Sequence, residues 1–515
     1  MRSSKTLFLF VTLLLLAACG GGGGGDDSPT TSTPPSISNL RFSPTWAALN
    51  SGTATVTGTV DFVDPQGDLS TVTMTTFDAA GQQLSTQTVA VQNVAGRTAG
   101  TISGTAQYAT TAPGASSFQI FVTDASGLSS NALTGSFTVY VPSPSPPVGN
   151  NVLLVTVNGS LCSPSTSIGY INKPCVSVTV CTPGTSTCQT ITDILLDSGD
   201  FGLRIFKQAL GGLALTQETI GPNPVAECVQ YGDGSSVWGP VQVASVVLGN
   251  EPAVQVPIHV VDSTFSTAPS GCQNAYQSPL DAGFNGILGV GFFAQDCGPI
   301  CTSIAANGIY YTCSGPTCTG TAIPLSSQVQ NPVSLLPVNN NGVIVQLPAV
   351  PPGGSSSVDG YLVLGIGTQS NNAVSSGVVA YPADPNIGEF LTNFGGTDYG
   401  SFIDTGSNGL FFPSTSIPSC TSVNRAWFCP ESTTTVTALT MGVSGSPSGL
   451  VSFQIGNFDS LDASGNNVFP DVGANLPGAF DWGLPFHFGR NVYIGIEGRA
   501  ASGLGTGPYW GYWAY

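Results

Sequence analysis

Two aspartates lie in closely similar stretches of the chain. Asp197 ends the apolar run of "DILLDSGDFGLRIF", and Asp404 ends the apolar run of "GSFIDTGSNGLFF". In both stretches the aspartate is followed by Ser or Thr, then by Gly, and soon by a second apolar run. Such a repeat predicts two similar lobes that meet at one site, with both carboxylates buried between strands.

Two facing carboxylates can hydrolyse an amide. At a short separation they cannot both ionise, so they share one proton. The ionised member takes a proton from a bound water, while the protonated member donates to the carbonyl oxygen of the substrate. We therefore predict that Asp197 and Asp404 are catalytic, and that the reaction needs no metal and no other cofactor.

In this interpretation, the residues next to each aspartate hold its carboxylate in place. Gly199 and Gly406 allow a tight turn that brings the backbone close to the aspartate, and their N–H groups can donate hydrogen bonds to the carboxylate. The hydroxyls of Ser198 and Thr405 can bond across to the opposite lobe. These bonds would fix the separation of the two carboxylates.

Strands must hold all of these residues in place. Residues 152–515 contain many apolar runs with Gly and Pro throughout, and helical periodicity is confined to short stretches such as "LRIFKQAL". A mostly β region of this length usually divides into two lobes. We place these lobes at residues 152–345 and 346–515.

With these motifs, residues 152–515 resemble a bilobal, pepsin-like aspartic protease. "CVQYGDGSSVWGPV" resembles the flap hairpin of that family, with Tyr231 in the place of the flap tyrosine and Gly232 and Gly234 beside it. "FNGILGVG" resembles the segment that braces the first aspartate loop, "GYLVLGIGTQ" the start of the second lobe, and "WGLPFHFGRNVYIGIEG" its last segment. The resemblance implies an endopeptidase whose cleft binds an extended peptide or unfolded segment as an added strand. The region is more similar still to an uncharacterised family of bacterial exported proteins with the same paired motif, which implies no activity.

Two positions depart from the pepsin-like pattern. Asp200 stands where that family usually has a serine that donates to the catalytic carboxylate, whereas the second copy keeps Ser407. An ionised Asp200 can only accept, so it either turns away to solvent or alters the first half-site and raises the pKa of Asp197. Asp481 stands where the bracing segment of the second lobe normally has an apolar residue.

The first residues predict export. Basic residues precede the apolar run "TLFLFVTLLLL", and "LAAC" follows, which is typical of a secretory signal. Residues 1–19 resemble a bacterial lipoprotein signal in which Cys19 is lipidated; the alternative is an ordinary signal peptide. Because Gly20 follows Cys19, we expect a lipid anchor in the outer membrane, on its periplasmic or surface face. Residues 20–36 then form a flexible tether rich in Gly, Ser, Thr and Pro.

Residues 37–141 alternate apolar residues with Thr and Ser, as in "TATVTGTVDFV". This pattern predicts a β-sandwich and resembles the immunoglobulin-like (Ig-like) modules of bacterial surfaces. Four of its aspartates either form turns or gather round a calcium ion as in cadherin-like modules; they are Asp61, Asp64, Asp68 and Asp124. A Pro-rich linker, residues 142–151, ends the domain. The predicted fold class is therefore all-β, an Ig-like sandwich followed by a bilobal, pepsin-like β fold.

Of the 13 cysteines, Cys19 belongs to the predicted signal and an even number remains. In an oxidising compartment such cysteines form disulfides, for which short local loops are the natural pairing. A four-thiolate zinc site within residues 297–318 is the alternative for that segment. The close pairs are Cys162 and Cys175, Cys181 and Cys188, Cys297 and Cys301, Cys313 and Cys318, and Cys420 and Cys429, with Cys228 and Cys272 left over.

The charge of the chain makes nucleic acid an unsuitable partner. Lys and Arg number 10 against 28 Asp and Glu, a net charge of −18, whereas phosphate binding needs the opposite sign. The histidines, His259 and His487, leave little material for a Ser-His-Asp triad or a His-rich metal site. Two functions stay open beside the peptidase. Asp200 favours a catalytically silent module that binds a peptide or an envelope component, and the Thr/Ser-rich sandwich favours an adhesin-like surface protein.

Overall fold

The structure of the protein is a computed structural model. It describes residues 33–48, 52–77, 83–92, 94–110, 114–140, 146–163, 169–375 and 377–514. The predicted signal peptide with Cys19, most of the tether and the first part of the linker lie outside the described residues. The chain divides into two compact units after residue 142.

The first unit is a β-sandwich. Its strands are β1 (Ser36–Ser43), β2 (Trp46–Ala48), β3 (Thr53–Val63), β4 (Leu69–Phe77), β5 (Gln83–Ala90), β6 (Ala99–Ala109), β7 (Gly114–Asp124) and β8 (Leu133–Tyr140). One sheet has the order β1-β3-β6 and the other the order β2-β8-β7-β4-β5. The alternating sequence places one face of each strand inside, so that Val56, Val60 and Phe62 of β3 are buried.

The second unit is built from short and medium-length strands. They are β9 (Val152–Val157), β10 (Pro174–Cys181), β11 (Cys188–Asp197), β12 (Phe201–Phe206), β13 (Thr216–Gln217), β14 (Thr219–Ile220), β15 (Asn223–Gln230), β16 (Ser236–Val247), β17 (Val254–Val261), β18 (Gly286–Val290), β19 (Tyr310–Ser314), β20 (Thr317–Gly320), β21 (Gly342–Leu347), β22 (Val358–Leu364), β23 (Tyr381–Pro382), β24 (Phe390–Phe394), β25 (Thr397–Ile403), β26 (Leu410–Phe412), β27 (Thr434–Met441), β28 (Ser448–Ile455), β29 (Gly473–Asn475), β30 (Ala479–Trp482), β31 (Arg490–Gly495), β32 (Ala500–Ala501), β33 (Gly505–Thr506) and β34 (Tyr509–Ala514).

The helices of the described residues are all short. The α-helices are α1 (Pro279–Ala282) and α2 (Phe458–Asp462), and the 3₁₀ helices span Lys207–Leu210, Ser270–Cys272, Gly298–Thr302, Leu325–Ser327, Pro332–Leu335, Ser370–Asn372 and Leu484–His487. Within the described residues, no helix reaches the length and apolarity that crossing a membrane requires.

A shared sheet joins the two lobes of the second unit. Antiparallel pairing runs from β10 through β9, β22, β21 and β31 to β34. The first lobe continues from β10 into β11 and β16, and the second lobe has its own sheet in the order β28-β27-β24-β25-β30-β26-β29. The predicted lobe boundary at residues 345 and 346 falls inside β21, which pairs with neighbours on both sides. The predicted all-β class, a sandwich followed by a two-lobed β region, is confirmed.

Disulfides close the local loops that the cysteine spacing predicted. The pairs are Cys162–Cys175, Cys181–Cys188, Cys228–Cys272, Cys297–Cys301, Cys313–Cys318 and Cys420–Cys429. The four cysteines between residues 297 and 318 are therefore used in disulfides, and the zinc alternative for that segment is wrong.

Candidate active site

Asp197 is the last residue of β11, and two further strand contacts fix its position. β18 lies parallel to β11 with Leu196 beside Leu288 and Asp197 beside Gly289, and β12 returns antiparallel on the other side of β18. Gly289 is required at this crossing, because a Cβ there would lie 2.5 Å from the Phe201 nitrogen. The segment "FNGILGVG" thus supports the first aspartate loop from behind.

Asp404 follows β25 in a matching arrangement. β30 lies parallel to β25 with Ile403 beside Trp482, and β26 returns antiparallel on the other side of β30. The carbonyl of Trp482 accepts the Asp404 N–H at 3.1 Å. Both aspartates therefore stand at the ends of strands that a parallel neighbour braces, as the repeated sequence predicts.

Ser198 and Thr405 bond across the two loops. The Ser198 N–H donates to Thr405 Oγ1 at 3.0 Å, and the Thr405 N–H donates to Ser198 Oγ at 2.9 Å. Each hydroxyl also donates to a strand carbonyl of the opposite loop, Ser198 to Ile403 at 3.1 Å and Thr405 to Leu196 at 2.7 Å. Both side chains are buried, so this set of bonds holds the loops at a fixed distance.

The glycines of the two motifs bring each loop against the aspartate of the other. A Cβ on Gly199 would lie 2.8 Å from Asp404 Cγ, and one on Gly406 would lie 2.7 Å from Asp197 Cγ. Each glycine N–H also donates to the aspartate of its own loop, Gly199 to Asp197 Oδ1 at 2.8 Å and Gly406 to Asp404 Oδ1 at 2.7 Å. The backbone of each loop therefore packs directly against the aspartate of the other loop, with no room for a side chain at either glycine.

The environment of Asp197 favours its protonated form. Burial is the largest cause that raises its pKa well above the ordinary value of 3.8, and the charges of Asp404 and Asp200 add to it. A side-chain hydrogen bond with Asp404 raises the pKa further, because that bond requires one proton between the two carboxyl groups. The N–H of Gly199 acts in the opposite direction. Asp197 is therefore the member of the pair whose protonated form this geometry favours.

Asp200 faces away from Asp197, but not toward solvent. Its N–H donates to Asp197 Oδ1 at 2.9 Å, while its carboxylate accepts from Arg204 Nη1 at 3.0 and 2.9 Å. The expectation of a solvent-facing Asp200 is therefore corrected: the carboxylate is bound by a guanidinium that is only 2% exposed. Its charge still contributes to the raised pKa of Asp197.

Asp481 lies behind the second aspartate loop. It is buried on β30 beside Phe402 of β25, and its Oδ1 has no hydrogen-bond partner in the described part of the chain. Burial and the charge of Asp404 raise its pKa well above 3.8, whereas the neighbouring Ser407 hydroxyl lowers it. Ser407 donates its one hydroxyl proton to Asp404 Oδ2 at 2.8 Å, so this hydroxyl lies between the two carboxyl groups.

The predicted flap is a hairpin of β15 and β16. The strands pair from Ala226 with Pro240 to Gln230 with Ser236, and the turn is closed by the Tyr231 N–H on the Ser235 carbonyl at 2.9 Å. Gly234 has a φ of 87° and Gly232 lies before it in the exposed tip. The Tyr231 hydroxyl is buried, and the charges of Asp200 and Asp197 help to raise its pKa well above 10. Tyr231 is therefore placed near the first aspartate loop.

Tyr170 lies at the site, although the motifs did not point to it. Its hydroxyl donates to the carbonyl of Gly406 at 3.2 Å, and burial with the charges of Asp197 and Asp404 raises its pKa. Two residues on, Asn172 bonds to the carbonyls of Asn408 and Phe469, each at 2.9 Å. The only sequence signal is a lone tyrosine ahead of the first disulfide-closed strand, with partners far away in the chain.

The calcium candidates all belong to the first unit. Asp61 accepts from Thr101 at 2.6 Å and from Asn39 at 3.0 Å, and Asp124 accepts from the Leu128 N–H at 2.8 Å. Asp64, Asp68 and Asp124 each have one buried carboxylate oxygen without a hydrogen-bond partner among the described residues. Within those residues, the sets of three possible ligand atoms within 4.8 Å of one another are Cys162, Cys175 and Asp193, and Cys420, Cys429 and Asp459. Both contain a disulfide, and neither includes the calcium candidates.

Both histidines are fully buried. Burial is the largest cause that lowers their pKa values, to about 3 for His487 and well below 6.5 for His259. His259 Nδ1 lies 3.2 Å from Glu227 Oε2, in a group of buried ionisable side chains behind Asp200. Neither histidine is arranged as the base of a serine nucleophile.

Comparison with known proteins gives one family match. Residues 147–512 match the family described as "Protein of unknown function (DUF3443)". A search of curated proteins finds no relative. Among solved structures, a similar chain comes from a study of the promiscuous specificity of carbohydrate-binding modules from the β-sandwich superfamily. It is 12% identical, the similarity covers 46% of this chain and 88% of that chain, and the TM-score is 0.19.

Proposed function

The chain belongs to the DUF3443 family, and we propose that it is an aspartic endopeptidase in which Asp197 and Asp404 hydrolyse a peptide bond through one water. The observation that carries the proposal is the reciprocal pair of hydrogen bonds between Ser198 and Thr405. These bonds hold two strand-end carboxylates face to face. Burying two carboxylates beside each other costs free energy. The presence of one such aspartate in each of two braced loops therefore supports a catalytic function.

The proposed reaction uses the one proton that the pair holds. The ionised carboxylate takes a proton from the water, whose oxygen forms a bond to the carbonyl carbon, while the protonated carboxyl group gives its proton to the carbonyl oxygen. Collapse of the resulting diol breaks the C–N bond, with a proton passing to the leaving nitrogen. The N–H groups of Gly199, Asp200 and Gly406 hold the carboxylates in place during these transfers.

The substrate of the proposed peptidase is an extended peptide or an unfolded protein segment. A cleft between two lobes with a hairpin over one side suits a chain that lies as an added strand. Tyr231 on the flap hairpin and Tyr170 beside Gly406 supply aromatic surface near the carboxylates. We further propose that Cys19 anchors the protein by a lipid to the bacterial outer membrane, on its periplasmic or surface face.

A second candidate function is peptide binding without cleavage. Two observations favour it: Asp200 occupies a position where a hydroxyl would serve Asp197, and Asp481 adds a buried carboxyl group behind Asp404. If these extra acids keep the pair from cycling its proton, the cleft would hold an extended peptide or envelope component and release it intact.

Cleavage of a peptide mixture distinguishes the two candidates. The exported chain, with its disulfides formed, is incubated with diverse peptides from acid to neutral pH, and new termini are followed by mass spectrometry. Asp197→Asn and Asp404→Asn are tested beside it, with Asp359→Asn as a control because Asp359 is an exposed strand residue. The peptidase is supported if Asp359→Asn still produces the new termini while Asp197→Asn and Asp404→Asn do not. Bound but intact peptides at every pH support the silent module.

A further inference from the structure

Arg204 stands at the centre of a buried group of ionisable side chains behind the first aspartate loop. Its Nη1 donates to Asp200 and to the Phe201 carbonyl at 2.9 Å, and its Nη2 lies 3.1 Å from Glu227 Oε1 and 3.2 Å from Asp296 Oδ2. The side-chain exposures of Arg204, Glu227 and Asp296 are 2%, 0% and 5%. We call Asp200, Arg204, Glu227, His259, Asp296 and Tyr310 the Arg204 cluster.

The cluster gathers residues from separate strands around one cation. Arg204 is on β12, directly beside His259 of β17, and Glu227 of the flap strand β15 pairs with Tyr310 of β19. The Tyr310 hydroxyl donates to Asp296 Oδ1 at 2.6 Å and accepts the Val329 N–H at 2.7 Å. These contacts leave the guanidinium no freedom to move away from Asp200.

Without a proton the cluster carries a net charge of −2, and one proton reduces this to −1. Three carboxyl groups share one guanidinium, and burial disfavours a charge on His259. Burial also raises the pKa of Glu227 well above 4.5. Glu227 Oε2 lies 3.2 Å from His259 Nδ1, and neither atom has another hydrogen-bond partner among the described residues, so a proton on Glu227 satisfies both. Arg204 then remains the cation for Asp200 and Asp296.

Resting on the proposed function, we infer that Arg204 is a positioning residue of the reaction: its guanidinium draws the Asp200 carboxylate away from Asp197 and offsets part of its charge, which leaves the Asp200 N–H free to donate to Asp197. The backbone of residue 200 is fixed on both sides, since its carbonyl accepts the Gly291 N–H at 3.0 Å and its N–H donates to Asp197. With the backbone fixed, only the side chain could turn, and Arg204 determines where it points. An aspartate is thereby compatible with a position next to the dyad.

If Arg204 has this role, replacing Asp200 and replacing Arg204 shift in opposite directions the pH at which Asp197 and Asp404 lose their shared proton. Asp200→Asn removes a negative charge near Asp197, so the dyad gives up its shared proton at lower pH. Arg204→Met leaves Asp200 without its cation, so the dyad keeps that proton to higher pH. The charged or titratable groups that face the pair are Asp197, Asp404, Glu227, Tyr231, His259, Asp296 and Tyr310. Both variants keep these groups, so the direction in which the pH of proton loss shifts reports the effect of the altered residue.

The test compares the parent with Asp200→Asn, Arg204→Met, the double variant and Arg204→Lys, each with its disulfides formed. The first readout is the pH at which peptide cleavage falls to half on the alkaline side. We expect Asp200→Asn to lower this pH by roughly one pH unit, Arg204→Met to raise it, and the double variant to return close to the parent. Arg204→Lys keeps the positive charge and replaces Arg204→Met in the comparison if the methionine variant does not fold. We expect it to shift the pH of half-maximal cleavage in the same direction as Arg204→Met, but by less.

The second readout does not depend on cleavage. For each protein, the difference in Tm from its own Asp197→Asn derivative is measured as a function of pH, which reports the proton on Asp197 in the folded state. If the parent cuts no peptide, the proposed function fails, and this readout still decides the inference about Arg204. Shifts of the same sign in Asp200→Asn and Arg204→Met, or no shift in either, overturn it.

Discussion

Ser198 and Thr405 exchange backbone-to-hydroxyl hydrogen bonds across the two aspartate loops, at 3.0 Å in one direction and 2.9 Å in the other. Both residues are buried, and each follows a catalytic candidate directly in the chain. The relationship gives the hydroxyl residue a role at this position in both copies, because it joins the two loops directly beside their carboxylates.

Thr405→Val tests this relationship. Valine keeps the shape of threonine but leaves the Leu196 carbonyl and the Ser198 N–H unpaired in a buried place, at a cost of roughly 1–3 kcal/mol for each group. Urea unfolding measures the loss, and peptide cleavage should fall with it. Thr437→Val is the matched control, because Thr437 is exposed on β27 and should change stability by less than about 0.5 kcal/mol. Equal losses in the two variants would contradict the role of the cross-loop bonds.

Gly406→Ala tests the close approach of the loops. The added Cβ would lie 2.7 Å from Asp197 Cγ, and Gly406 has no positive φ, so the effect of alanine comes from contact with the opposite carboxyl group. Displacing a catalytic group by about 1 Å can cost about a hundredfold in rate, so kcat/KM should fall by about that factor. Gly169→Ala is the control for stability, since its Cβ would meet no atom within 4 Å. A fully active Gly406→Ala protein would show that the carboxylates are farther apart than the structure places them.

Asp197→Asn should stabilise the protein at neutral pH. The pKa of Asp197 is raised in the folded state above its ordinary value of 3.8. Its contribution to stability is therefore complete below pH 3.8 and is lost as the pH rises through the folded-state pKa. Thermal unfolding at several pH values should show the variant and the parent close together in acid and the variant higher near pH 7. Asp359→Asn, at an exposed position, should show no such divergence.

Tyr170→Phe tests the residue that sequence reasoning missed. The variant loses the hydrogen bond to the Gly406 carbonyl but keeps the ring. A hydrogen bond of this kind contributes about 0.5–1.5 kcal/mol to stability, so we expect the free energy of unfolding to fall by about that amount and kcat/KM to fall with it. Tyr311→Phe, which loses an exposed hydrogen bond to the Gly308 carbonyl, is the comparison and should leave cleavage unchanged. Identical kinetics in both would exclude a role for the Tyr170 hydroxyl.

The features of the structure that could be predicted from the sequence are those that depend on residues close together in the chain. The two aspartate motifs, the flap hairpin and the short disulfide loops each lie within a few tens of residues, and alternating polarity gives the strands. The Arg204 cluster could not be predicted, because its members come from four strands and two loops, with Asp296 lying 92 residues from Arg204. Tyr170 is 236 residues from the carbonyl that it binds. The direction of Asp200 likewise depends on a guanidinium whose position only the packing of β12, β15 and β17 determines.

We expect Asp197 and Asp404 to act as one unit, and a double-mutant cycle measures whether they do. kcat/KM is measured for one cleaved peptide with the parent, Asp197→Asn, Asp404→Asn and the variant that carries both changes. If the two share one proton and one water, each single change should remove nearly all activity, and the double variant should lose no more than either. Activity retained by one single variant, or losses that add up in the double variant, would contradict the account.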